Sequence, residues 1–250
     1  MSRTHTYNKA IALYRPAIQA LGSHANVIVC EGTLDALAVA AQAATSGLSE
    51  RYAPVAPSGL ALSDHQLGDI LSIHPLPPVF SGDGDPAGRG ASIEWATRAA
   101  LAGRESVVAT WPDGDDPASW IATHGESGLL AVTRKGCLEP DNTSLRPRHA
   151  GEIIARAALR EVTSGLVTLE EALAAALAPH DRLHGAAAAR YVSAVARTFA
   201  PAVTTAELEA VHQRRMDMDY LRPRPGRWAP ADRGNSSEFH RKPSRESVSP

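Results

Sequence analysis

Four short apolar runs, each followed by a helical stretch, constrain this chain more than any other feature. Residues 27–30, 52–56, 78–80 and 106–111 read as strands: they are β-branched or apolar, and turn formers bound them. Residues 34–44 are apolar at almost every position and rich in Ala, with Gly47 following as a stop. Ser63 with Gln66 three residues on has the pattern of a capping box and predicts a helix to Ile73. Pro86 suits the first turn of a helix that runs to about Ala102, before Gly103. Pro117 opens a short fourth helix. Strand–helix alternation of this kind predicts an α/β fold, a four-stranded parallel sheet covered by helices on both faces.

The chain has 250 residues, enough for a domain of ~120–150 residues plus an appendage. The formal net charge is −2, which excludes a chain coated in positive charge. Residues 1–135 carry 9 Lys/Arg against 13 Asp/Glu, residues 136–221 carry 9 against 11, and residues 222–250 carry 7 against 3. That last segment is rich in Pro, Ser and Arg, and is expected to be a disordered basic tail. Two cysteines, Cys30 and Cys137, exclude a disulfide scaffold and a Cys-rich zinc site. No apolar run is long enough to span a bilayer and the N-terminus lacks a signal-peptide core, so a cytoplasmic address and no membrane partner are expected. Residues 136–148 have no period and read as a linker. A small helical region follows over 149–215, with apolar stripes at Ile153, Ile154, Ala157, Ala158 and Val162, at Leu169, Leu173 and Leu177, and at Tyr191, Val192, Val195 and Phe199. Thr204 and Glu207 form a second capping-box pattern. His149, His180, His184 and His212 lack metal-site spacing and read as surface residues.

The acids sit where such a sheet puts its chemistry. Glu31 follows the first strand, Asp83 and Asp85 the third, and Asp113, Asp115 and Asp116 the fourth. Open α/β sheets form sites at the carboxyl ends of their strands, so the acids converge if these strands are neighbours. Clustered carboxylates repel unless a cation is shared. Mg²⁺ suits them, because it takes oxygen ligands and keeps waters and substrate phosphates in its shell. Gly82 and Gly84 are expected to give the acid loop unusual backbone angles, and Gly32 a turn after Glu31.

These residues together resemble the TOPRIM domain of the bacterial DnaG-type primases. Glu31-Gly32-Thr33-Leu34-Asp35 is similar to that family's Glu-Gly-x-x-Asp helix start. Ser58-Gly59-Leu60-Ala61-Leu62 is similar to its Gly-Thr-Ala-Leu turn, with Leu60 in place of Thr. Phe80-Ser81-Gly82-Asp83-Gly84-Asp85-Pro86-Ala87-Gly88-Arg89 resembles its Phe-Asp-Gly-Asp-x-Ala-Gly-Arg motif, and Trp111-Pro112-Asp113-Gly114-Asp115-Asp116-Pro117 its Leu-Pro-Asp-Gly-x-Asp-Pro motif. Tyr7-Asn8-Lys9 with Leu13-Tyr14 resembles the stretch just before that domain, so residues 1–24 would be the remnant of a preceding subdomain and 25–135 the TOPRIM domain.

The resemblance implies roles. Glu31, Asp83 and Asp85 would be catalytic. Glu31 would act as a metal ligand or as a base near an incoming 3′-hydroxyl, and Asp83 and Asp85 would hold Mg²⁺ or Mn²⁺. Asp35, Asp113 and Asp116 would complete the metal-binding cluster. Lys9 and Arg89 would contact nucleotide or nucleic acid. The activity implied is nucleotidyl transfer from NTPs, making RNA primers on a single-stranded DNA template, with a helicase or a missing primase N-terminal part as partner. No zinc-binding pattern precedes the domain, so a non-catalytic binding module remains an alternative, and a TOPRIM nuclease a further one. Similar segments occur in actinobacterial mobile-element proteins, whose composition this chain shares.

Overall fold

The computed structural model describes residues 10–16, 21–133 and 147–200, and, within 202–213, all but 205, 209 and 212. Lys9 and the basic tail lie outside the described residues, as does most of the linker.

Five strands form one sheet in the order β2-β1-β3-β4-β5. β1 (Asn26–Cys30), β2 (Tyr52–Val55), β3 (Val79–Ser81) and β4 (Val107–Val108) are parallel, as expected. β4 is shorter than the apolar run that signals it, although the Ala109 N–H still bonds the Phe80 carbonyl at 2.9 Å. The sheet gains a strand the sequence does not announce: β5 (Arg148–His149), which pairs antiparallel to β4. Two polar residues at the end of an aperiodic stretch carry no strand signal of their own. Their pairing depends on the partner strand.

Side chains alternate across β1 and divide the core in two. Ile28 and Cys30 face α1 (Thr33–Thr45) and α4 (Pro117–Ala131), with Ala36, Val39, Ile121 and Leu129 closing that layer. α4 is longer than the short helix expected, and continues through a bend at Gly125, whose φ is +56°. Val27 and Val29 face the other layer. There α2 (Asp64–Ile73) and α3 (Pro86–Leu101) join α5 (Ala150–Thr163), α6 (Leu169–Leu177) and α7 (Gly185–Phe199) in a continuous core around Phe80, Trp95, Leu177, Tyr191 and Phe199. The Ser63–Gln66 capping box opens α2, where Ser63 Oγ accepts the Gln66 N–H at 3.1 Å. Thr204 and Glu207 bond reciprocally as their spacing predicts.

Besides this shared core, one carboxylate ties the helical region to the sheet. Glu105, only 8% exposed, binds Arg190 of α7 through two hydrogen bonds of 2.7 and 2.6 Å. It also meets His149 of β5 at 2.9 Å. His149 is therefore not a surface residue: its Nδ1 accepts the Gly151 N–H and caps α5. Burial pushes the Glu105 carboxyl up, but Arg190 and His149 overcome it and hold the group at about 2.

The loops after β3 and β4 are locked together. The Gly84 N–H donates to the Asp115 carbonyl at 2.8 Å. Arg89 bonds the Gly84 carbonyl and pairs with Asp113 at 2.7 Å, spanning both loops. The glycines here serve close approach rather than unusual angles. Gly82 and Gly84 are not among the residues with positive φ, and Gly32 is extended at φ −99°. A Cβ on Gly84 would stand 2.0 Å from the Pro112 carbonyl oxygen, and one on Gly88 would stand 2.5 Å from the Asp83 nitrogen.

Two substitutions test these fastenings. Gly84→Ala forces one backbone off another, so chemical unfolding should show a loss of about 1–3 kcal/mol. Glu105→Ala should cost about 1–3 kcal/mol at pH 7, since it leaves the half-exposed Arg190 and the His149 ring unpaired. The Glu105 contribution is present above the unfolded value of 4.5 and is lost as pH falls towards about 2. The gap between wild type and variant should therefore close between pH 5 and pH 2, and a pH-independent gap would contradict the assignment.

Candidate metal centre

β1, β3 and β4 are neighbours in the sheet, so the acids that follow them meet along its carboxyl edge. Glu31 directly follows β1, with its carbonyl accepting the Gly59 N–H at 3.0 Å. Burial pushes its carboxyl up, Asp85 and Asp35 add repulsion, and a hydrogen bond from the Asp83 backbone opposes them.

Asp35 lies one turn into α1 and is buried. Its Oδ2 accepts the Gly32 N–H at 3.2 Å, and its Oδ1 accepts the Ala118 N–H at 3.2 Å. One side chain thus satisfies orphan donors at the N-termini of both α1 and α4. Burial and Asp116 raise its pKa, and those backbone donors lower it.

Asp85 and Asp116 are helix caps as well as acids. Asp85 Oδ1 accepts the Gly88 N–H at 2.7 Å and opens α3. Asp116 Oδ1 accepts the Ser119 N–H at 2.6 Å and opens α4. Three helix N-termini therefore point their positive ends at the cluster and offset part of its repulsion.

Asp83 has no such relief. Its Oδ1 is buried without a hydrogen-bond partner. Burial, followed by the charges of Glu31, Asp35, Asp116 and Asp85, pushes its carboxyl up to about 7. A buried carboxylate oxygen left unbonded is costly, and a cation would satisfy it.

The donor set is all oxygen, which suits a hard divalent ion. Among the described residues, no three acidic, histidine or cysteine side chains already close a metal shell. Mg²⁺ does not require one, since one or two carboxylates plus waters and substrate phosphates suffice. The residues therefore fit such an ion, with Asp83 at the centre.

Glu31, Asp35, Asp83, Asp85 and Asp116 lie within electrostatic reach of one another. Asp113 does not join them: its side chain is 91% exposed and pairs with Arg89. Arg89 in turn is committed to the two loops it joins. Arg156 and Arg160 of α5 line one hollow together with Arg89 and with Gly82 of the loop after β3. Their spacing of four puts them on one helix face, but nothing local in the sequence says which surface that face meets.

A family model described as Toprim-like matches residues 28–121. No curated protein matches the sequence. A DNA primase domain from Pseudomonas aeruginosa superposes with a TM-score of 0.56 at 18% identity, over 85% of this chain and 62% of that one. The Aquifex aeolicus primase, with its zinc-binding and RNA polymerase domains, gives 0.54 at 22%, over 83% and 45%. A DnaG primase catalytic domain bound to single-stranded DNA gives 0.51 at 17%, over 78% and 57%. This chain spans less than two-thirds of the length of each of them, and at these identities the likeness is one of fold. The sequence match covers the acid-bearing loops, and the fold around them agrees with it: residues 28–121 form a Toprim-like domain.

Proposed function

We propose that this chain carries the metal-dependent nucleotidyl-transfer centre of a primase, joining NTPs into short RNA primers on a single-stranded DNA template. The observation that carries this reading is the buried, unbonded Asp83 Oδ1 among four further carboxylates at the carboxyl edge of the sheet. Asp83 and Asp85 would hold Mg²⁺ or Mn²⁺, with Glu31 beside them. A pair of such ions, when bound, stabilises the entering and the leaving oxygen of phosphoryl transfer.

The chain's own residues do the rest. Burial and then Asp85 raise the Glu31 carboxyl, which would make it a stronger base for the proton of a 3′-hydroxyl. Asp35 ties α1 to α4 and so fixes the distance between the Glu31 and Asp116 loops. Arg89 sets the Asp83 loop against the Asp113 loop. A helicase, or the template-gripping part of a longer primase, is the partner such a centre calls for.

Activity is tested by incubating the chain with labelled ribonucleotides, single-stranded DNA and Mg²⁺ or Mn²⁺. Short RNA products are expected, falling at least ~100-fold in Glu31→Gln if that carboxyl acts as base. Shortened template instead would favour a nuclease. No change in either would mean that the chain binds without catalysing on its own.

The metal site has a separate test in its pH dependence. The folded value of Asp83, about 7, lies above its unfolded 3.8, so proton binding favours the fold. In EDTA this contribution is fully present below pH 4 and is lost as pH rises through 7. The melting temperature of the metal-free protein should therefore drop across that window, and Asp83→Asn should remove much of the drop. Added Mg²⁺ or Mn²⁺ should raise the wild-type melting temperature more at pH 8 than at pH 6, and should not raise that of Asp83→Asn.

A further inference from the structure

On the other side of the Asp83 loop from α1 and α4, the surface changes sign. A hollow of about 80 Å³ lies between α3, β4 and α5, lined by Gly82, Ser92, Ile153, Arg89, Arg156 and Arg160. A wider hollow of about 460 Å³ adjoins it between α5 and α7, with Glu152, Arg156 and Arg197 on its walls. Arg156 borders both, so the two form one track that begins one residue from Asp83.

The charges on this track do not cancel. Arg89, Arg156, Arg160 and Arg197 face it, against Glu152, whose carboxylate Arg148 also shares at 2.7 Å. Arg89 is neutralised in part by Asp113. Arg156 and Arg160 are exposed, on the last two turns of a helix whose inner face packs in the core. Such a concentration of guanidinium groups is unexpected on residues 1–221, which are net acidic.

Size and chemistry narrow the ligand. At about 80 Å³ the inner hollow has room for a few waters or one tetrahedral oxyanion, but not for a nucleotide. The outer one falls in the ~300–1,000 Å³ range of clefts that take small organic groups. Guanidinium forks match phosphate oxygens, and a phosphate-sized hollow adjoining one of nucleotide size matches a polynucleotide better than a free anion.

We infer that this track holds the backbone of single-stranded nucleic acid beside the acid centre, with one phosphate against Arg160 and the next nucleotide against Arg156 and Arg197. The inference rests on the nucleic-acid reading proposed above and gives that strand a path over the helical region.

Fluorescence anisotropy of a labelled oligo-dT with the full chain in EDTA tests it without engaging the metal site. Arg156→Gln/Arg160→Gln/Arg197→Gln should weaken binding at least tenfold. It should also flatten the plot of log affinity against log salt by about 2, at ~0.7 for each phosphate no longer neutralised. Arg51→Gln, exposed at the edge of β2, should change neither, and circular dichroism should show all variants folded. If wild type binds and the triple variant binds equally with an unchanged salt slope, the track is wrong and the nucleic-acid reading survives. If wild type does not bind, both fall. Displacement of the oligonucleotide by ATP at equimolar phosphate, lost in the triple variant, would overturn the backbone assignment in favour of a triphosphate site.

Discussion

The repulsion among five carboxylates at one sheet edge is the constraint around which the rest of this structure is arranged. Left alone, such a cluster would push its members apart or force them to take up protons. The fold answers by turning three helix N-termini toward it. Asp35 takes donors from α1 and α4, Asp85 caps α3, and Asp116 caps α4. Each of these acids does local structural work, and each is held by the backbone it stabilises. Asp83 stands outside this scheme, and its carboxyl is the one pushed up to about 7. Destabilisation is thus concentrated on one side chain, at the point where a cation would relieve it.

Holding an uncompensated carboxylate in place demands a rigid loop. That explains why the loop is built of glycines that the backbone has no angular need for. Gly84 lets the chain press against the Pro112 and Asp115 carbonyls, and Gly88 lets α3 press against Asp83 itself. Arg89 then closes the second side by joining the Gly84 carbonyl to Asp113. A loop free to relax would move Asp83 into water, where its pKa would fall towards that of an ordinary exposed carboxylate. Packing and electrostatics are coupled here: tight contacts at the glycines maintain an unfavourable charge.

What is legible in the sequence follows the range of the interactions involved. The strands, the cap at Ser63, the helix starts at Pro86 and Pro117, and the acids after β1 and β3 depend on residues within a few positions of each other, so their spacing is readable. The role of the glycines is not, because close approach to Pro112 lies nearly thirty residues away while an unusual φ is the local expectation. Asp113 looks like its acidic neighbours in sequence, yet Arg89 draws it outward. β5 and the Glu105–His149–Arg190 cluster join segments up to 85 residues apart, with no pattern inside any one of them to announce the join.

The same cluster helps to hold the helices that carry the basic side chains. The arginines of α5 and α7 lie beside the acid loop only because α5–α7 share a core with the sheet and Glu105 anchors α7. Ile153, on the same turn as Arg156, belongs to that core and also lines the inner hollow. The position of the basic track is therefore set by burial of apolar residues rather than by attraction to the acids. Direct pairing of these arginines with the carboxylates would have neutralised both. By placing its ion pairs on Glu105 and Glu152 instead, the fold keeps a negative centre and a positive track side by side. The metal-dependent centre proposed above would need both signs available at once, one for the cation and one for the chain of phosphates.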